Sequence, residues 1–488
     1  MNYKIICKII SQILAIEAAL MLPAVIIGVC DGTSGSVFAF LLTMAITFVF
    51  SGILALISRK AKKGFYAREG LVCVGLGWVF LSIFGCLPFV ISGEIPHFVD
   101  ALFEIVSGFT TTGSSILENV EALSRCMLYW RSFSHWLGGM GVLVFVLAVI
   151  PKSKDSGGFS LHLLRAESPG PDVGKLMPKL GKTALTLYGI YIALTVINFA
   201  ALLIAKMPWF DALCTAFGTA GTGGFGIKAD SIASYSPAIQ IITTVFMLLF
   251  GVNFNCYYWL LLRNFRSVLK NEELRLYLGS FAVATALITV NTLHFFSSVG
   301  EGIRHAAFQV ASIMTTTGFA TTDFNLWPGL SKAILFVLMF IGGCAGSTAG
   351  GLKVSRIILL IKNVFREIRQ LLHPRSVSSV RFDGKSVDRQ TQSGVNAYLG
   401  IYIICFAAVF LLISAEPFDF ETNFTAVATC FNNVGPGFGA VGPAGGFSAY
   451  SAFAKYIFSV AMLLGRLEIF PLVLILAPSN YFKKPGKK

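Results

Sequence analysis

Apolar residues gather into long runs along this chain, separated by short polar segments. A helix crossing a hydrocarbon core of ~30 Å needs about 20 such residues. The runs at 9–29, 37–57, 71–92, 133–150, 184–205, 238–262, 276–297, 332–361, 396–414 and 454–477 predict ten membrane spans, the eighth of them long and interrupted. Four further apolar stretches, near 98–109, 210–220, 304–314 and 421–431, are too short to cross. Such lengths suit re-entrant segments, which survive at membrane depth only where protein or water surrounds the backbone. Lys4 and Lys8 precede the first run, and no small-residue cleavage site follows it, so it is read as a retained helix.

The short stretches resemble one another. They read FVDALFEIVSGFTTTGSS from Phe98, FDALCTAFGTAGTGGFG from Phe210, IRHAAFQVASIMTTTGFATT from Ile303 and FETNFTAVATCFNNVGPGFG from Phe420. Each is apolar, then small and polar, then glycine, and each is followed by another span. Repeats of this size mean pseudo-symmetric assembly. The predicted fold class is an all-α integral membrane protein with ten transmembrane helices. A two-helix N-terminal unit (1–68) precedes four helix–pore-helix–filter–helix repeats around one central pore. The repeats cover 69–151, 152–262, 263–372 and 373–488.

Four such units can build a cation filter. A filter needs backbone carbonyls aimed at a common axis. Glycine permits the extended or left-handed chain this demands, and threonine suits an extended backbone while adding a hydroxyl ligand. A short helix running toward the axis directs about half a negative charge at the ion from its C-terminus. The candidate filter residues are Thr110, Thr111, Thr112 and Gly113; Gly221, Thr222, Gly223 and Gly224; Thr315, Thr316, Thr317 and Gly318; and Asn432, Asn433, Val434 and Gly435. None is a carboxylate, whereas Mg²⁺ or Ca²⁺ sites call for carboxylates. Asp100 precedes Gly113 by 13 residues and Asp211 precedes Gly224 by 13, which selects Gly224 as the second filter glycine, with Gly223 the alternative.

Composition agrees with a membrane protein. Of 488 residues, 55% are hydrophobic and 13% charged, against about 25% charged in a soluble domain. That excludes a soluble enzyme and a disordered scaffold. The net charge of +14 reflects basic residues in the N-terminus, 58–70, 152–182, 263–275, 353–389 and 478–488. A basic bias of short loops marks the cytoplasmic side, so orientation explains the charge and nucleic acid is not an expected partner. The opposite face carries acids, among them Asp31, Glu94, Asp100, Glu104 and Asp211. They either simply collect on a translocated face or concentrate cations near a pore mouth. The ten cysteines form no CxxC and read as small buried apolar residues.

Together the residues resemble the Trk/Ktr superfamily of potassium-uptake proteins, TrkH type, over the whole chain. The markers are HWLGGMGVLVF at 135–145, TTTG at 110–113, GTGGFG at 221–226, TTTGFATTDF at 315–324, GGCAGSTAGGLKVSR at 342–356, NNVGPGFG at 432–439 and GRLEIFPL at 465–472. The resemblance implies a K⁺-selective pathway built from four non-identical repeats. It also implies a homodimer with a cytosolic nucleotide-binding regulator of the TrkA type. The expected location is the cytoplasmic (inner) membrane, with both termini cytoplasmic and lipid as a further partner. K⁺ is cargo, and no covalently bound cofactor is expected. Channel-like conduction is the expected mechanism. The alternative is a KtrB-like symporter coupling K⁺ to H⁺ or Na⁺, which would keep ionisable groups near the midplane.

Two further features bear on gating. The stretch 342–351, with Gly342, Gly343, Gly346, Ser347, Thr348, Gly350 and Gly351, is either a small-residue packing surface or a break in the span that forms an intramembrane gate loop. The resemblance implies the latter. Arg466 lies deep in the last span, where charge is costly. It either pairs structurally with Glu468 or another carboxylate, or stands beneath the filter and repels cations; the resemblance supports that position. His135 reads as structural. Gly221–Gly226 matches GxGxxG but follows no strand, so it predicts no dinucleotide site. No clustered His or carboxylates suggest an enzyme.

Overall fold

The structure is a computed structural model that describes residues 2–59, 67–139, 141, 180–375 and 379–476. The basic segment 152–179, the C-terminal basic segment and the latter part of the predicted span 133–150 lie outside the described residues. The described chain is mostly helical.

The predicted spans are helical over most of their described residues, and their interruptions have local causes. The first divides into α1 (Tyr3–Leu20) and α2 (Leu22–Cys30), because Pro23 lacks the N–H that would continue the ladder. Helix α3 (Ser34–Ile57) runs back along α1, and the two are joined by reciprocal bonds from Ser11 Oγ to the Ser51 carbonyl (2.9 Å) and from Ser51 Oγ to the Ser11 carbonyl (2.8 Å). Pro88 likewise separates α4 (Ala67–Gly85) from α5 (Leu87–Ser92).

Each short stretch forms its own helix: α6 (Phe98–Phe109), α9 (Trp209–Gly221), α14 (Val299–Met314) and α18 (Phe420–Asn432). Between them run α7 (Arg125–Gly139), α8 (Leu180–Ile204), α10 (Pro237–Phe250), α11 (Phe254–Leu261), α12 (Phe265–Lys270) and α13 (Glu272–Thr292). After α14 come α15 (Gly329–Ile341), α16 (Val354–Leu372), α17 (Arg389–Ile413), α19 (Ala452–Arg466) and α20 (Phe470–Leu476). Helices α10 and α11 meet at 88°. A two-residue hairpin, β1 (Arg381–Phe382) and β2 (Lys385–Ser386), turns at Asp383-Gly384, a pair suited to left-handed turn positions.

The four short helices pack in a cycle. Helix α9 lies against α7, α14 against α10, α18 against α15, and α6 against α19. Each thus rests on the element that closes the previous unit, and the last returns to the first.

Apolar side chains also cover the outside. Among the described residues six helices are long and apolar enough to cross a membrane, or seven if the bent pair counts as one. Leu41, Phe48, Val49 and Ile53 on α3, Val196 and Ile197 on α8, and Ile403, Ile404 and Leu411 on α17 are exposed. In water such faces would associate; in lipid they are ordinary.

Candidate filter and intramembrane loop

Where each short helix ends, the chain makes the same turn. Thr111, Thr222, Thr316 and Asn433 have φ of 55°, 54°, 55° and 56°, and two residues later Gly113, Gly224, Gly318 and Gly435 have φ of 83°, 76°, 88° and 101°. The residue between them donates its N–H back to the helix in every case. Thr112 bonds the Ser107 carbonyl at 2.9 Å, Gly223 that of Gly218 at 2.8 Å, Thr317 that of Ser312 at 2.8 Å and Val434 that of Thr429 at 2.9 Å. The conformation therefore aligns Gly224, and not Gly223, with the other three glycines.

These strips close into a ring. A Cβ at Gly113 would run into the carbonyl oxygen of Gly223, one at Gly224 into that of Thr317, one at Gly318 into that of Val434, and one at Gly435 into that of Thr112, each under 3.0 Å. The residue before the glycine in each strip thus offers its carbonyl to the glycine of the preceding strip, and the fourth closes on the first. Only glycine fits, by space and by φ.

Side chains brace the strips differently. Thr110 Oγ1 meets Thr112 Oγ1 at 2.7 Å, and Thr315 Oγ1 meets Thr317 Oγ1 at 2.7 Å. Asn433 Nδ2 donates to Thr112 Oγ1 and to the Met462 carbonyl, both at 2.9 Å, which ties the fourth strip to the first. Ser114 Oγ repeats that link through the Gly435 carbonyl at 3.1 Å. Asn432 Oδ1 accepts from Tyr402 Oη at 2.8 Å. A cavity of about 110 Å³ touches all four glycines together with Ser114, Arg131, Phe225 and Lys228.

The opposite end of the strips meets the loop between α15 and α16. Gly350 N–H donates to Thr316 Oγ1 at 2.6 Å, and a Cβ on Gly350 would press on the Asn432 carbonyl. Thus Gly342, Gly343, Gly346, Ser347, Thr348, Gly350 and Gly351 form a non-helical segment beneath the third and fourth strips, and not one continuous helix. Gly342, Gly346, Gly351 and Lys353 all have positive φ. The loop is anchored to the α10–α11 turn: Cys344 N–H bonds the Gly251 carbonyl (3.0 Å), Phe254 N–H the Gly346 carbonyl (3.1 Å) and Thr348 Oγ1 the Phe250 carbonyl (3.2 Å). Glu273 accepts from Ala345 N–H at 2.6 Å and Ser355 N–H at 3.1 Å, so one carboxylate holds both flanks.

Arg466 does not pair with Glu468. Its guanidinium donates to the carbonyls of Thr348 (2.8 Å), Gly138 (2.6 Å) and Gly139 (2.6 Å), joining the loop to α7. Glu468 instead pairs with Arg356 at 2.6 Å. Lys353 is buried and donates to the Ala349 carbonyl.

The acids need correction. Glu104 is fully buried and holds Arg131 Nε at 2.5 Å, as well as Ser115 Oγ at 2.9 Å and Ile116 N–H at 3.0 Å. Asp100 pairs with Lys455 at 2.6 Å. Neither is a free surface charge drawing cations; each ties a short helix to a neighbour. Arg131, which also donates to the Gly226 carbonyl at 2.9 Å, escaped notice because it precedes the apolar run at 133. Glu273 escaped because its partners, Ala345 and Ser355, are distant in sequence. Seven of the ten cysteines are buried and all are free.

A helical bundle with apolar outer faces, four short buried helices and a ring of backbone at their ends is a multi-pass membrane protein. The chain belongs to the TrkH family of cation transport proteins, whose sequence model matches residues 36–484. It is similar to the Trk system potassium uptake protein TrkH of Halomonas elongata, with 36% identity over 99% of this chain and 100% of that one. The TrkH of Escherichia coli K12 is 35% identical over 98% of this chain and 99% of its own length. The crystal structure of the potassium transporter TrkH from Vibrio parahaemolyticus superposes with a TM-score of 0.87 at 31% identity, covering 99% of this chain and 100% of that one.

Truncating one member of a buried ion pair strands the other charge, which costs about 3–5 kcal/mol. Arg131→Ala is therefore expected to lower the thermal melting point of detergent-purified protein by far more than Arg125→Ala, whose pair with Asp31 is exposed. Equal melting points would remove Glu104–Arg131 from the framework around the strips.

Proposed function

We propose that this chain takes up K⁺ across the cytoplasmic membrane through a channel-like pore lined by strips 110–113, 221–224, 315–318 and 432–435. The closed ring of glycine-to-carbonyl contacts carries this reading. Carbonyls gathered around one axis can replace the hydration shell of a monovalent cation, and the four helix C-termini add negative potential there. Hydroxyls of Thr110 to Thr112, Thr222 and Thr315 to Thr317 add oxygen close by. The names of the relatives, potassium uptake proteins, support the choice of ion. In this reading the chain comprises ten spans, in a two-helix unit over 1–68 and four repeats over 69–151, 152–262, 263–372 and 373–488. The loop 342–351 gates the pore from beneath, with Arg466 pinning it and adding a positive charge that slows cations. A homodimer in the inner membrane, with cytoplasmic termini and a TrkA-type nucleotide-binding regulator, belongs to the same proposal.

Conduction is favoured over coupled transport because three carboxylates of the interior, Glu104, Glu468 and Glu273, are committed elsewhere. Glu104 holds Arg131, Glu468 holds Arg356, and Glu273 holds backbone N–H groups. A carrier needs such groups available to bind and release.

Isotope-ion uptake into proteoliposomes, with and without an imposed H⁺ or Na⁺ gradient, tests the mechanism. K⁺ uptake should follow the K⁺ gradient alone; accumulation that tracks the H⁺ or Na⁺ gradient would establish the symporter. In the same assay Gly318→Ser should reduce K⁺ over Na⁺ discrimination by about tenfold, or 1.4 kcal/mol, since its Cβ meets the Val434 carbonyl. Unchanged discrimination in Gly318→Ser and Gly113→Ser would remove the filter assignment.

Shortening the loop within 342–351 is expected to raise K⁺ flux at equal membrane abundance, and Arg466→Ala to raise it less. If neither variant changes the flux of well-folded protein, the loop is not the gate.

A further inference from the structure

The strips differ at their first and third positions. Strips one and three place threonine at both, and the two hydroxyls meet at 2.7 Å. The second strip has Gly221 and Gly223 in those places and has no such pair. The space is filled from α7 by His135. A Cβ on Gly223 would fall among the ring atoms Cγ, Nδ1 and Cδ2 of His135, and a Cβ on Gly221 would strike the His135 carbonyl. His135 is completely buried, and its ring stacks on Phe225 with centroids 4.1 Å apart. Phe225 is covered on its turn by Arg131, whose Cζ lies 3.5 Å from the ring centroid. Glu104 fixes Arg131. A stack of three groups therefore backs the one strip that lacks side chains at both its first and third positions.

We propose that His135 is a specificity-determining residue of the pore: its imidazole substitutes for the missing threonine pair and sets the position of the Gly223 carbonyl. That carbonyl is the one against which Gly113 closes the ring. The role is steric. Interiors transmit small volume changes because they are close-packed, and a cavity behind glycines at the first and third positions leaves the backbone there free to shift. A carbonyl free to move no longer distinguishes cations by size. The proposal rests on the filter reading given above, and the tests separate the two.

The test is ion selectivity of the full-length chain in proteoliposomes, with reciprocal variants. His135→Ala should lower the K⁺/Na⁺ permeability ratio by about tenfold, equivalent to 1.4 kcal/mol of lost discrimination. Gly223→Thr alone should also lower it, because the new side chain collides with the ring. The double variant His135→Ala/Gly223→Thr should recover most of the ratio, since it fills the space left by the ring with a threonine at the third position, as in strips one and three. His135→Phe, which keeps a ring on Phe225, should stay close to the parent ratio. A double variant no more selective than His135→Ala, or a neutral Gly223→Thr, would overturn the proposal. Loss of selectivity in a well-folded His135→Phe would also overturn it, by showing that the imidazole nitrogens act and not the ring volume. Should His135→Ala fail to reach the membrane, Gly223→Thr and His135→Phe still decide. If Gly318→Ser widens selectivity while these variants do not, only the role of His135 falls; if Gly318→Ser is silent as well, the filter reading falls with it.

Discussion

The structure depends on how closely four glycines approach four carbonyls. At Gly113, Gly224, Gly318 and Gly435 there is no room for a single extra carbon, and φ is positive at each. Such contacts are not held by the strips alone. Each strip is short, its backbone N–H groups bond back to its own helix, and it sits where chain segments from distant parts of the sequence converge. The ring persists because elements outside it are rigid. The cycle of α6 on α19, α9 on α7, α14 on α10 and α18 on α15 fixes the helix ends, and the strips inherit that order. Close backbone crossing helps around α7: Gly139 lies against Gly221 at the joint with α9, and Gly138 against the Phe109 carbonyl at the end of α6. Small residues allow such approach between membrane helices.

The backbone repeats, but the means of support do not. Threonine pairs serve strips one and three. An imidazole serves strip two. In strip four, Asn432 is held by Tyr402, and Asn433 reaches across to Thr112 and to Met462. One chain with four unequal units can keep a near-symmetric lining while each outer surface specialises. A homotetramer cannot, because any change appears four times. The asymmetry is most marked in the third unit, where the closing span breaks after Ile341 and resumes at Val354.

Much of this was legible along the chain. The four short helices and the helix-to-glycine transitions are local features, visible in hydropathy and residue type. The equal spacing from Asp100 and Asp211 aligned the first two strips because both short helices begin and end alike. Breaks such as those before Pro23 and Pro88 are also local, although the continuous apolar runs concealed them. What the sequence could not reveal was the long-range pairing. Glu104 reads as one of several acids on a translocated face, and nothing near it announces Arg131, 27 positions later. Glu273 stands at the start of a span, yet its partners Ala345 and Ser355 lie more than 70 positions away. His135 looks like any aromatic neighbour of a tryptophan until the fold sets it behind two glycines. In each case the residue type is visible but the partner is set by topology.

The loop beneath the strips follows from the same reasoning. A segment with positive φ at Gly342, Gly346, Gly351 and Lys353 has little conformational preference of its own. Its shape is imposed from outside, by hydrogen bonds to the α10–α11 turn, to Glu273, to Arg466 and to Thr316. Each is worth about 0.5–1.5 kcal/mol, and those to charged groups about 1.5–3. Individually they are small enough to be exchanged, and collectively they hold one position. Helix α16 continues directly from the loop, and its exposed far end extends through Leu371 and Leu372. A displacement of that helix would load the loop's attachments together, since Ser355 on α16 and Ala345 in the loop share the Glu273 carboxylate. Under the proposed function, a regulator acting on α16 would need to supply only the energy of a few such bonds to move the loop, while the glycine ring, braced by buried pairs and close packing, stays in place.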